Sequence, residues 1–180
     1  METDDAIMLA VRAGRLDAMG TLFERHHQRM YRFFRRSIPD HSGCEDLVQN
    51  LFLRMLAYRS SYRGGGSFTS WMYRTAIRLR DDHLRKSGRE RSSYSADPVD
   101  EIPVPQPEAL GRADEARLRA ALDALRPAER DVLILTRFEG LPHAEVAAIL
   151  DCSVGALKVR IHRALHSLRS RWLEREAPWI

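Results

Sequence analysis

Long apolar runs are missing: nothing in the 180 residues approaches the roughly 20 needed to cross a bilayer, so no membrane-inserted helix is expected. The acidic start "METDDAIMLA" lacks the charged and apolar blocks of a secretion signal, and a cytoplasmic protein is expected. Cysteine is scarce as well. Cys44 and Cys152 lie far apart and form no CxxC pair, which argues against a disulfide framework and favours two small buried thiols. Lysine is almost absent, with Lys86 and Lys158 the only two among 29 basic residues. Arginine forks suit phosphate and base edges, so the bias leans towards nucleic acid. Catalytic signatures are also missing: there is no GxSxG, no phosphate-binding loop, and no GxGxxG after a strand. Glu45 and Asp46 are adjacent and point to different sides of a helix, which suits first-turn or partner-facing charges better than paired acid and base. No enzyme and no cofactor are expected.

Alternating strand patterns are absent too, so the expected class is all-α. The chain divides at "GRERSSYSADPVDEIPVPQPEALG", residues 88–111, whose four prolines and few large apolar residues cannot support a core. This reads as a tether, acidic in its latter part through Asp97, Asp100, Glu101 and Glu108, serving either as a solvated spacer or as a functional acidic linker. Residues 1–87 and 112–180 then form two helical domains. In the first, Asp4 and Asp5 open a short helix stopping near Gly14, and a longer one runs from near Asp17 to Pro39. Ser42 is expected to cap a third, with Leu47, Val48, Leu51, Phe52, Met55 and Leu56 on its packing stripe.

"YRGGGSFTSWMYRTAIRLRDDHLRK" follows, a triple-glycine loop running into a helix that Ser67 or Thr69 can cap. Aromatics at the helix start and Arg74, Arg78, Arg80, Arg85 and Lys86 along it suit single-stranded nucleic acid, with bases on rings and phosphates on cations. Trp71 and Tyr73 either stack there or pack on the helical core.

The second half reads as four helices ending in a helix-turn-helix, the last one capped by Ser153. From Ser153 to Arg171 it carries five Lys or Arg and no Asp or Glu. A stripe of Val154, Leu157, Ile161, Leu165, Leu168 and Trp172 would turn Ala156, Val159, Arg160 and Arg163 outward. Gly155 and Ala156 leave room for close approach to DNA, Arg160 and Arg163 reach towards base edges, and Lys158 and Arg169 flank them as phosphate contacts. His162 and His166 share a face but lack further zinc ligands nearby, and "HRALH" has a cation where a metalloprotease has its base; no metal is expected. A membrane-surface helix needs free bulky apolar residues, and here the core claims them.

Three blocks in order, "EDLVQNLFLRML", the triple-glycine segment, and "RPAERDVLILTRFEGLPHAEVAAILDCSVGALKVRIHRALHSLR", resemble the extracytoplasmic-function sigma factors of the bacterial sigma-70 family. The resemblance implies a polymerase-docking and promoter-melting domain over 1–87 and a minus-thirty-five reader over 112–180, with core RNA polymerase (clamp and flap), promoter DNA and an anti-sigma factor as partners. Asp46, Gln49, Phe52 and Arg54 would lie near the clamp. Arg63, Ser67, Phe68, Trp71, Tyr73, Arg74 and Arg78 would serve the minus-ten element. Ser153, Gly155, Ala156, Lys158, Val159, Arg160, Arg163 and Arg169 would serve the minus-thirty-five element. The acidic linker is similar to the connector that runs through the polymerase's RNA channel.

The chain also departs from the family. Ile77 and Arg78 stand where it commonly has Arg-Asn, and Arg80 and Asp81 replace apolar residues. "GALKVR" replaces the frequent "GTVKSR", removing two hydroxyls, and Asp151 stands at the usual turn glycine. Two other functions use the same residues: a stand-alone DNA-binding regulator with a sensing N-terminal half, and a metal or thiol sensor built on the cysteines and histidines.

Overall fold

The computed structural model describes residues 2–38, 40–91 and 112–174. The linker from residue 92 to 111, Pro39 and residues 175–180 lie outside the described residues. Eight α-helices and no strand occur among those described. α1 (Asp4–Arg12) begins with Thr3 accepting a hydrogen bond from the Ala6 amide at 3.2 Å, with Asp4 and Asp5 in the positive first turn. It ends before Gly14, whose φ of 110° needs a residue without a Cβ. α2 (Ala18–Arg35) and α3 (His41–Ala57) pack against each other as an antiparallel pair. Ser42 does not cap α3 but lies inside it. Asp40 is the cap, and its carboxylate accepts from the Gly43 amide at 2.7 Å, a position that Ser42 sits too far along the chain to fill.

A short 3-10 turn (Arg59–Ser61) leads to the glycine loop, where Gly64 and Gly65 take φ near 70°. α4 (Phe68–Arg91) follows and continues past the expected start of the linker at residue 88. Its first amide, on Phe68, donates at 3.1 Å to Asp5, which also accepts from the Tyr62 hydroxyl. An acid of α1 therefore holds the loop and the start of α4 together. Burial first, and the neighbouring Asp5 second, push the Tyr62 phenol upward and keep it a donor.

In the second half, α5 (Arg112–Asp123) leads to α6 (Pro127–Leu133), which has proline in its first turn and runs on as a π-helical turn over Ile134–Phe138. Gly140, at φ 66°, ends it. α7 (His143–Ile149) and α8 (Val154–Glu174) complete the helix-turn-helix. A small cluster of Leu122, Leu125, Leu133 and Ala164, with Leu118 and Leu168 against it, ties α5 and α6 to α8.

The main core crosses from one half to the other. Phe33, Phe34, Met72 and Tyr73 from the first half are continuous with Val132, Ile134, Leu135, Val146 and Leu157 from the second. Each such side chain contributes about 1.5–3 kcal/mol on burial. α7 packs directly on α4, so the two halves dock on each other.

Candidate nucleic-acid interface

The turn between α7 and α8 is short and tightly bonded. The Cys152 amide donates to the Ala147 carbonyl at 3.0 Å, and Asp151 adopts φ 48° as the left-handed turn residue. Ser153 caps α8 as expected, accepting from the Ala156 amide at 3.1 Å. The rotation of α8 differs from the sequence expectation. Leu157, Ile161 and Ala164 are buried and Leu168 half-buried, but Val154 and Leu165 are 39% and 38% exposed. The buried stripe follows i, i+4, i+7, i+11: α5, α6 and α7 pack along this band and leave Val154 and Leu165 at its edges.

The outward set survives that correction. Ser153, Gly155, Ala156, Lys158, Val159, Arg160, Arg163 and Arg169 are all exposed, and Val159 reaches 51%. An exposed valine between small residues and arginines is an apolar contact point of the kind a thymine methyl offers. No Asp or Glu occurs in the helix before Glu174, so nothing on it repels phosphate.

The minus-ten candidates divide. Arg63, Ser67, Arg74 and Arg78 are exposed, and Trp71 is half-buried, edge-on to Tyr62 at 5.2 Å between centroids. Phe68 and Tyr73 are buried in this form. Tyr73 donates to Glu139 of the second half at 2.6 Å; burial, with Glu139 next, pushes its phenol well above the ordinary range. Ser67 and Ser70 both donate to Glu145 of α7, the latter at 3.4 Å. The second half thus sits on part of the surface that the sequence assigns to melted DNA.

On α3, Asp46 and Gln49 are exposed and Arg54 is half-buried, 3.4 Å from Asp82. Phe52 is buried instead, edge-on to Phe23 at 5.0 Å, and supports the face from behind. Sequence reasoning missed Leu53, which is 61% exposed and shares with Asp46, Gln49 and Asn50 one helical face. Its signal was a leucine outside the packing stripe.

Metal and thiol chemistry find little here. Among the described residues, no three His, Cys, Asp or Glu side chains gather where they could hold a metal ion. Cys44 is fully buried, and burial pushes its thiol up to about 11, away from reactivity. No described helix is long and apolar enough to cross a membrane.

Comparison with known proteins gives two family matches. The family "Sigma-70 region 2" matches residues 22–90, and "Sigma-70, region 4" matches residues 115–168. An extracytoplasmic-function RNA polymerase sigma factor, SigE of Mycolicibacterium smegmatis, is 34% identical over 152 residues, covering 82% of this chain. The chain spans 59% of that relative's length. The RNA polymerase sigma factor CarQ of Myxococcus xanthus is 32% identical over 161 residues, covering 88% of this chain and 91% of the relative. Among solved structures, the sigma factor RpoE of Bartonella quintana, crystallised with the anti-sigma factor NepR, matches in fold with a TM-score of 0.67 at 24% identity, over 84% of this chain and 94% of that one.

Proposed function

The chain belongs to the sigma-70 family of bacterial RNA polymerase sigma factors, in its extracytoplasmic-function group, and from that premise we propose that it brings core polymerase to promoters by reading two separated elements. The observation that carries the reading is the exposed, carboxylate-free face of α8, with Val159, Arg160 and Arg163 at its centre. That face docks in the major groove of the minus-thirty-five element. Arg160 and Arg163 approach base edges, Val159 and Ala156 meet apolar groups, and Lys158, Arg169 and the helix start carrying Ser153 and Gly155 hold phosphates.

Residues 1–87 form the second module. The face of Asp46, Gln49, Leu53 and Arg54 docks on the polymerase clamp, backed by Phe52. The loop from Arg63 to Trp71 receives an unstacked minus-ten base, and Arg74 and Arg78 contact the strand's backbone. Duplex opening on this reading comes from trapping unstacked bases, with no nucleotide hydrolysis. Residues 88–111 join the modules. An anti-sigma factor controls the chain; the fold shared with a sigma factor solved as its anti-sigma complex supports that proposal.

Run-off transcription with core polymerase on the DNA upstream of the chain's own gene tests the function. A factor-dependent transcript is expected. A chain that gives none, yet shifts duplex DNA equally tightly with and without polymerase, is a stand-alone regulator.

A further inference from the structure

The two halves are joined by a set of buried and half-buried charges that neither DNA reading nor polymerase docking uses. Arg80 is 3% exposed and makes a two-pronged pair with Asp131 of α6, Nη1 to Oδ1 at 2.6 Å and Nη2 to Oδ2 at 3.0 Å. Asp81 holds the other edge of the same guanidinium at 2.8 and 3.1 Å. Burial works against the charge on Arg80, and the hydrogen bonds and fields of Asp131 and Asp81 outweigh it. Glu139, with its side chain only 4% exposed, accepts from Arg29 at 3.0 Å, Arg36 at 3.1 Å and the Tyr73 hydroxyl at 2.6 Å. Arg29 also donates to the Glu139 carbonyl at 2.7 Å, and Arg36 lies over the Phe138 ring at 4.8 Å.

Geometry forbids this docked form from reading a promoter. A compact chain of 180 residues has a radius of gyration of about 16 Å and measures roughly 40 Å across. Elements centred near minus ten and minus thirty-five lie about 25 base pairs, or roughly 85 Å, apart along the duplex. α4 touches α7 and α7 touches α8, so the two reading helices lie roughly 20 Å apart between axes. The halves must part before both elements can be reached.

We infer that Arg29, Arg36 and Arg80 of the first half, seated on Asp131 and Glu139 of the second, form a latch that holds the free chain closed and must release before it engages a promoter. The inference rests on the promoter-reading function for its consequence, though not for the latch itself. Burying charges against each other is a near-balanced exchange with leaving them in water, because desolvation offsets much of the attraction. Such a contact specifies one docking geometry and still lets go when a partner competes for either half. Glu145 adds to the closure by occupying the hydroxyls of Ser67 and Ser70.

Small-angle scattering from the full chain tests the latch. The wild type is expected near 16 Å in radius of gyration. Asp131→Asn with Glu139→Gln leaves Arg29 and Arg36 without their carboxylate and Arg80 with Asp81 alone. The closed-to-open ratio should fall by at least roughly a hundredfold, and the radius should rise by several ångströms with helical circular dichroism unchanged. The swapped pair Arg80→Asp with Asp131→Arg should keep the compact radius, whereas Arg80→Asp alone should not. Binding to core polymerase should tighten at least about tenfold in the opened variant, as the competent fraction rises. An extended wild type, a neutralised variant as compact as the wild type, or variants that lose helicity without rescue by the swap would each overturn the latch. If the radius responds as expected and no variant supports run-off transcription, the latch stands and the sigma-factor function is what fails.

Discussion

Alanine at Arg160 or Arg163 separates base reading from simple charge attraction. Both side chains are exposed on α8, and neither makes a hydrogen bond or ion pair among the described residues. Removing either should therefore change folding stability by no more than about 0.5 kcal/mol, so any loss of binding is a loss of contact with DNA. A bidentate arginine on a guanine edge contributes about 1–3 kcal/mol, which corresponds to a roughly 5- to 150-fold weaker complex. That loss should appear on the cognate minus-thirty-five element and largely vanish on a scrambled one. The slope of log affinity against log salt should stay within error of the wild type, since few counterions are released by a base contact. A phosphate contact behaves in the opposite way, weakening all sequences alike and lowering the slope by about 0.9. Lys158→Ala and Arg169→Ala, on the flanks of the reading face, should show that second pattern. The assay is fluorescence anisotropy of the reconstituted holoenzyme on both duplexes over a salt series. Equal losses on cognate and scrambled DNA with a reduced slope for Arg160→Ala and Arg163→Ala would refute the assignment of base readout to these residues.

Other expectations follow from packing and titration. Ile161→Ala, in the buried stripe, should cost about 2–5 kcal/mol in denaturant unfolding, whereas Leu165→Ala, at 38% exposure, should cost under about 1 kcal/mol; the reverse order would restore the rotation of α8 read from the sequence. Asp151→Val should lower stability by about 1–2 kcal/mol and Asp151→Gly should raise it slightly, because φ is 48° there; equal stability of the two would remove backbone strain as the reason for aspartate. Ellman's reagent at pH 8 should titrate Cys152 in the folded chain and reach Cys44 only after denaturation, so two fast thiols would contradict the buried site. Because burial raises the folded Cys44 thiol from 9.0 to about 11, its protonated form favours folding in full below pH 9. That contribution, roughly 2–3 kcal/mol, should be lost as pH rises through about 11, and a stability profile flat over that range in the wild type but not in Cys44→Ser would count against it.

Much of the molecule was legible along the chain because its information is local. Helix starts and stops are fixed by residues a few positions apart. α1 stops at Gly14 and Ser153 caps α8 where the sequence suggests a stop and a cap. Ser42 failed as a cap because Asp40, two residues earlier, offers a carboxylate at the spacing that reaches the Gly43 amide. Likewise, the outward face of α8 follows from helical period together with the absence of acids. Its inner edge did not, because Val154 and Leu165 fall at the border of the band that α5, α6 and α7 cover, and an apolar pattern by itself does not mark that border.

The sequence by itself determined an all-α chain with a helix-turn-helix at one end, a glycine-rich loop before a basic helix, and a reading face on α8. These properties depend on periodicity and on turn chemistry, which act over one or two turns of chain. Only the tertiary structure decided that Phe68 and Tyr73 face inward in the docked form, and that Arg80 meets Asp131 while Arg29 and Arg36 meet Glu139. Partners so far apart in sequence leave no periodic trace. A buried arginine reads in sequence like any other basic residue until packing removes the water around it and a carboxylate from the other half replaces that water.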